Sequence, residues 1–546
     1  MTESVEGIEL DGESLRPEDV VAVAREGVPV GVPEAVRERV RASRARVEDV
    51  LESGEAVYGV NTGFGELVDR RIPADRLETL QTNLIRSHAA GAGRELTREE
   101  VRAMMVSRVN ALVKGYSGIR EVVIDHLVTM LNEGVHPVVK SRGSLGASGD
   151  LAPLAHMSLV LLGEGEAIVD EPSPEDSDAT RRVPGDVALE EIGLEPLTLG
   201  PKEGLALING TQLTVGLASL FLVDAERLVE AADVAGALTT EVTLGTTATS
   251  DPAIHRVRPH AGQRESAENV RRLTAGSEVV EAHRNCDRVQ DAYSLRCLPQ
   301  VHGAVRDALA HLREGVEIEL NSATDNPLVF SGEEVDSRAS GTDRAAVLSG
   351  GNFHGEPLAL RLEYARIALT DLAAISERRI DRILNPNLQE PHLPPFLAVD
   401  SGVQSGYMIV QYTAAALLNE IRSIGAASTD NTPVSGGQED HVSMSATSAT
   451  NARRALENAT WIVAAELVCG AGAAEFVDDA FDGDDATDDD DASLALGVGT
   501  GAAYDLIREV VPPLESDRPV HTDVEQAVAV LEEGLLLDGV DRTFDS

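Results

Sequence analysis

The tripeptide Ala147-Ser148-Gly149, inside SRGSLGASGDLAPLAHMSL (141–159), holds the atoms from which a backbone could build its own electrophile. Gly149 has no side chain, so its amide nitrogen can approach the Ala147 carbonyl carbon closely. Attack there with loss of water closes a five-membered ring. Loss of the Ser148 hydroxyl then leaves an exocyclic methylidene conjugated to that ring, an electrophile made without any added cofactor. A serine nucleophile elbow is a competing chemistry, but G-x-S-x-G needs glycine at 150, where Asp150 stands. A structural turn is the third reading, and for so common a tripeptide taken alone it is the plainer one.

Other blocks change that balance. YGVNTGFG (58–65), NLIRSHAAG (83–91), LALINGTQ (205–212), QDAYSLRCLPQVHGA (290–304), NSATDNPLV (321–329), SGGNFHGEP (349–357) and QEDHVSM (438–444) accompany GASGDLAPLAHM. Together, and with GVGT (497–500) after them, they resemble in order the blocks of the aromatic amino acid ammonia-lyases. In that family Ala-Ser-Gly forms 4-methylidene-imidazol-5-one autocatalytically. The resemblance implies that Ser148 becomes a dehydroalanine inside an Ala147–Gly149 cross-link, with no external cofactor. It also implies roles around the ring. Tyr58 is the candidate base for the substrate β-proton, which requires a stabilised phenolate. Asn209 is expected to hydrogen-bond the ring carbonyl as an oxyanion hole would. Tyr293 and Gln290 are expected beside the methylidene and the departing amine. Arg296 suits bidentate capture of the substrate carboxylate, with Asn326 assisting and Phe353 walling the pocket. Taken singly, each of these residues reads as surface, cap or core.

The family acts on histidine, tyrosine or phenylalanine, and two residues favour imidazole. Ser87-His88 stands where the family reads the substrate ring. Glu439, flanked by His441, supplies a carboxylate able to bind an imidazole N–H. Against an apolar ring that carboxylate would be costly to desolvate. The expected reaction is L-histidine to trans-urocanate and ammonia, the first step of histidine degradation; the alternative is a tyrosine ammonia-lyase or tyrosine 2,3-aminomutase. Addition of the substrate amine to the methylidene with Tyr58 as base, and addition of the imidazole ring with Glu439 as base, both remain open. The resemblance further implies a homotetramer whose subunits share active sites.

Helical patterns must position these residues. Residues 34–53 carry Val36, Val40, Val47 and Leu51 on roughly one face. Thr97-x-x-Glu100 reads as a capping box opening a helix that Gly115 is placed to end. Long helical patterns follow near 205–235, 300–322, 355–383, 404–424 and 448–471, several apolar almost all round. No βαβ alternation or internal repeat is evident. The expected architecture is mainly α, a long central helical bundle and C-terminal helices (206–546) with a smaller N-terminal α-rich region (1–205) holding the Ala-Ser-Gly loop. Residues 170–186 and 478–491 read as surface insertions. The second contains nine aspartates but fails the calcium-loop spacing at Ala486 and Thr487, so no metal is expected.

Bulk composition sets the surroundings. A net charge of −46 excludes nucleic acids and anionic membranes as natural partners. Of 46 basic residues only Lys114, Lys140 and Lys202 are lysine. This acid-rich, lysine-poor balance is expected of a halophilic protein in a very salty cytoplasm, where screening acts over a few ångströms. No apolar run nears the roughly 20 residues that span a bilayer. The acidic start lacks a secretory pattern. Cys286, Cys297 and Cys469 are widely spaced and without CxxC, as fits a reducing cytoplasm.

Overall fold

The computed structural model describes residues 7–54, 56–62, 72–171, 179–284, 288–335, 340–429, 432–481 and 494–545. The chain is mainly α, with strands confined to small two- and three-stranded sheets among the described residues. The longest helices are Leu298–Leu320, Glu356–Leu384, Ser445–Ala474 and Gln212–Val242. Each lies where the apolar pattern predicts a helix, with ends shifted by a few residues. One expectation fails. The pattern near 205–235 is two helices, Glu203–Ile208 and Gln212–Val242, parted at Asn209-Gly210-Thr211.

The chain divides into two compact units, and they are not the contiguous regions 1–205 and 206–546. That boundary falls inside helix Glu203–Ile208. The first unit comprises 1–223, 312–363 and 426–450; the second comprises 224–311, 364–425 and 451–546. Long-range packing explains why later segments join the first unit. Val329, Ala345 and Val347, on the antiparallel strands Leu328–Ser331 and Ala345–Leu348, share a buried cluster with Val47, Val50, Val57 and Val60. Leu51 packs only partly against this cluster, and Val50 is the deeper residue of helix Glu34–Ser53.

Within the first unit, helix Arg98–Val113 is buried along nearly its whole length. Its capping box forms as expected: Thr97 N–H donates to Glu100 Oε2 at 2.9 Å, and Glu100 N–H donates to Thr97 Oγ1 at 3.4 Å. Arg102 and Arg108 therefore point into the interior. Arg102 is satisfied by the carbonyls of Val23 and Leu131. The expected 170–186 insertion contains a strand, Thr180–Pro184, which pairs antiparallel with Glu166–Asp170; residues 172–178 lie outside the described residues. Of the acidic stretch 478–491, only 478–481 are described.

The second unit is centred on a buried ionic network. Arg379 donates to both Glu466 oxygens, at 2.5 and 2.9 Å, and Thr239 and Ser376 hydroxyls complete the carboxylate. His302 Nδ1 donates to Asp233, and burial holds the His302 pKa below its ordinary value. Full pairing is what makes buried charges tolerable here.

Candidate active site

Residues 143–150 form an irregular loop before helix Leu151–Leu161, and three distant segments fix its backbone. Met444 N–H donates to Leu145 O at 2.7 Å. Gly355 N–H and Ser443 Oγ both donate to Gly146 O, at 3.0 and 2.9 Å. Asp150 N–H donates to Gly210 O at 2.7 Å, and Gly149 and Gly210 form a parallel bridge. Gly149 has φ of +79°, and a Cβ there would stand 2.3 Å from Gly210 O. Only glycine fits this approach.

The break between the two helices serves the same place. Asn209 is extended, with φ −91° and ψ 114°, and its Nδ2 donates to Ser148 O at 2.7 Å. Bond formation between Gly149 N and Ala147 C would enclose the Ser148 N, Cα and C atoms. The Ser148 oxygen would then be the ring carbonyl. The Asn209 amide thus sits where negative charge would gather, which is the geometry of an oxyanion hole. The residues present fit the proposed ring.

Asp150 anchors the loop electrostatically. Its carboxylate accepts from Ser144 Oγ at 2.7 Å, Thr214 N–H at 2.8 Å and Thr214 Oγ1 at 3.1 Å. Burial raises its pKa, while those hydrogen bonds oppose the rise. Its position near the start of helix Gln212–Val242 also favours the anion.

The other expected residues divide between the units. In the first, Tyr58 is half-buried in a turn beside Gly59, where a Cβ would meet Pro327 Cδ at 2.5 Å. The Tyr58 turn therefore packs against the Asn326-Pro327 segment. Asn326 holds the Phe353 loop: its Nδ2 donates to Ser349 Oγ at 3.1 Å, and its Oδ1 accepts from Gly350 N–H at 2.7 Å. Phe353 is partly exposed, and the next residue, His354, stacks on His441 with ring centroids 5.8 Å apart. Glu439 is partly exposed, and its backbone carbonyl accepts from Val434 N–H. His88 closes helix Leu77–His88; its Nδ1 donates to Leu84 O at 2.8 Å, leaving Nε2 for a ligand. In the second unit, Arg296 Nη1 donates to Gln290 Oε1 at 2.5 Å, and Arg296 Cζ lies 5.6 Å from the Tyr293 ring centroid. Tyr293 is 72% exposed.

Sequence reasoning missed several residues of this scaffold. Asp150 entered only as the residue that spoils a nucleophile elbow, although it stands inside the Ala-Ser-Gly block. Ser443 lies in the QEDHVSM block and carried no assigned role. Arg108 carried no assigned role, and its type does not set it apart from Arg102, Ser107 and Asn110 on the same helix. No group of three or more His, Cys, Asp or Glu residues placed to hold a metal ion occurs among the described residues.

The chain matches the family model described as aromatic amino acid lyase over residues 15–509. It is 62% identical to the probable histidine ammonia-lyase of Halobacterium salinarum, covering 100% of this chain and 99% of that one. Among solved structures, histidine ammonia-lyase from Trypanosoma cruzi is similar with a TM-score of 0.85 and 37% identity, covering 98% of this chain and 96% of that one. Tyrosine aminomutase from Streptomyces globisporus is similar with a TM-score of 0.87 and 38% identity, covering 98% and 99%.

Proposed function

The chain belongs to the aromatic amino acid lyase family, and from that premise we propose that it deaminates L-histidine to trans-urocanate and ammonia. The reaction is a carbon–nitrogen lyase step without oxidation. The observation that carries it is the contact between Asn209 Nδ2 and Ser148 O, made beside a backbone approach only Gly149 allows. The methylidene that Ala147-Ser148-Gly149 would form supplies an electrophilic carbon able to activate the substrate for loss of its amine.

The remaining chemistry belongs to side chains. Tyr58 removes the β-proton. Arg296 binds the substrate carboxylate, and Asn326 keeps the adjoining loop in place. Tyr293 and Gln290 face the departing amine, and Phe353 closes the pocket. His88 and Glu439 read the imidazole, where Glu439 accepts a ring N–H that a phenyl or phenol ring lacks. That contact, together with full-length relatives bearing the histidine ammonia-lyase name, favours histidine. The comparable structural likeness to tyrosine aminomutase supports tyrosine as the second reading.

The protein acts as a homotetramer in a reducing, salt-rich cytoplasm. Tyr293 must work away from bulk water yet is 72% exposed in the single chain. Tyr364, Ile367, Ile409 and Tyr412 are also exposed on helices Glu356–Leu384 and Met408–Ser423, and burial between copies would remove this apolar surface from water. Cys297 and Cys469 are free thiols, and no helix among the described residues is long and apolar enough to cross a membrane.

Two measurements test the reading. Purified protein should convert L-histidine to urocanate while leaving L-tyrosine unchanged, and turnover of tyrosine alone would transfer the assignment to the second reading. Mass spectrometry should find the peptide containing 147–149 lighter by two waters. An unmodified peptide in active protein would remove the electrophile from the mechanism.

A further inference from the structure

Arg108 is fully buried on helix Arg98–Val113, yet it forms no salt bridge among the described residues. Its Nη1 donates to Asn209 O at 3.0 Å and to Gln212 Oε1 at 2.5 Å. Gln212 Nε2 in turn donates to Thr324 Oγ1 at 2.7 Å. One nitrogen therefore holds both sides of the break at Asn209-Gly210-Thr211. In an unbroken helix Asn209 O would accept the N–H four residues on. The break removes that partner, and the guanidinium replaces it. Gly210 makes room, because a Cβ there would stand 2.6 Å from Arg108 Nη1 and 2.4 Å from Gln212 Oε1.

The geometry points to Arg108 as a positioning residue for the electrophile, acting through Asn209 and Gln212. This rests on the reading of Ala147-Ser148-Gly149 as the source of that electrophile. Arg108 grips the backbone carbonyl of Asn209, whose side chain donates to Ser148 O. Orientation and charge thus act on one residue. Electron density delivered to a conjugated ring by an attacking nucleophile would collect on the Ser148 oxygen. A fixed cation behind the Asn209 peptide favours that charge and prevents the amide from turning away.

A purely structural role explains the arginine poorly. Burying a guanidinium without an ion-paired carboxylate is costly, and an apolar side chain of similar volume would fill the core more cheaply. Burial lowers the Arg108 pKa to about 10, with Asp325 and Asp150 opposing the shift, so the group stays charged at neutral pH. Its remaining nitrogens, Nε and Nη2, have no hydrogen-bond partner among the described residues. The contacts it does make all lead to the helix break.

Full-length Arg108→Met, Arg108→Lys and Gln212→Met test the assignment. In each, kcat and KM for L-histidine and the mass of the 147–149 peptide are measured on protein of parental size. Arg108→Met should lower kcat by about 100-fold with KM within about threefold, as loss of an oxyanion-stabilising group does, and Arg108→Lys should recover at least about tenfold of that loss. Gln212→Met, which loosens the same grip but keeps the charge, should lower kcat several-fold at unchanged KM. Parental kcat in Arg108→Met, or a lysine variant no faster than the methionine one, would overturn the inference. If Arg108→Met is recovered only unfolded, Gln212→Met decides, and parental kcat there overturns it. A parent peptide without the two-water deficit would instead overturn the electrophile reading itself.

Discussion

Arg296 meets Gln290 through a hydrogen bond of 2.5 Å and lies over the Tyr293 ring, so three expected ligand-facing residues are already neighbours. A guanidinium has donors enough to keep Gln290 and still present a fork to a carboxylate; an ammonium does not. Arg296→Lys should therefore raise KM for L-histidine by about tenfold, with a smaller change in kcat. Steady-state kinetics with parental KM would remove Arg296 from substrate binding. Glu319 gives a second residue-scale test. It accepts from Thr211 Oγ1, and burial pushes its pKa up from 4.5 to about 7. The folded chain then holds a proton that the unfolded chain has released. Stability from this group is full below about pH 4.5 and is lost as pH rises through about 7. Glu319→Gln should flatten that part of the decline in Tm, and parallel Tm profiles for parent and variant would contradict the shift. Residue types such as Tyr58, Asn209 and Arg296 were legible because their blocks are contiguous. Arg108 was not, because its partners lie about a hundred residues away and are backbone and amide groups that carry no motif.

Elements were legible to the extent that periodicity alone decides them. Helix Arg98–Val113 opens at its capping box, and Glu34–Ser53 buries its valine stripe. The helix break at 209–211 carried a local signal in the Asn209-Gly210 pair, which favours a turn. LALINGTQLTV nevertheless stays apolar on both sides and reads as one helix, and tertiary partners hold the break open. Two glycines meet at that break, and Gly210 has φ of +145°. In Gly210→Ala the new Cβ would fall 2.4 Å from Gln212 Oε1 and 2.9 Å from Thr324 Oγ1. The collision displaces Asn209 from Ser148 O, since the same few residues carry both contacts. We expect this variant to keep its helical circular dichroism while losing the two-water mass deficit and urocanate formation. Retention of both would show that the break tolerates a side chain and that Asn209 is placed by other means.

At the scale of the molecule, no periodicity or motif signals that residues 312–363 and 426–450 return to the unit built by the first 223. The contacts responsible, such as Val329 in the Val47 cluster and Met444 on Leu145, join segments far apart in the chain. Charge, by contrast, is fully readable from composition. Even if every lysine and arginine paired with one acid, half of the 92 acidic residues would remain uncompensated. Pairs such as Arg37 with Glu121 and Asp125 form, but they cannot remove that excess. The repulsion must therefore be met by the solvent. Screening reaches about 3 Å at 1 M salt and about 10 Å at 0.1 M, so dilution lets acidic surfaces on neighbouring copies repel one another. In the proposed homotetramer, association should suffer before the fold within each copy, because exposed apolar faces would have to approach against the full charge of two chains. Activity and assembled size should fall together as salt is lowered from molar to about 0.1 M, with helical content persisting to lower salt. Urocanate formation and light scattering on the same samples would measure this. Full activity and an unchanged mass at low salt would mean that the −46 charge needs no screening.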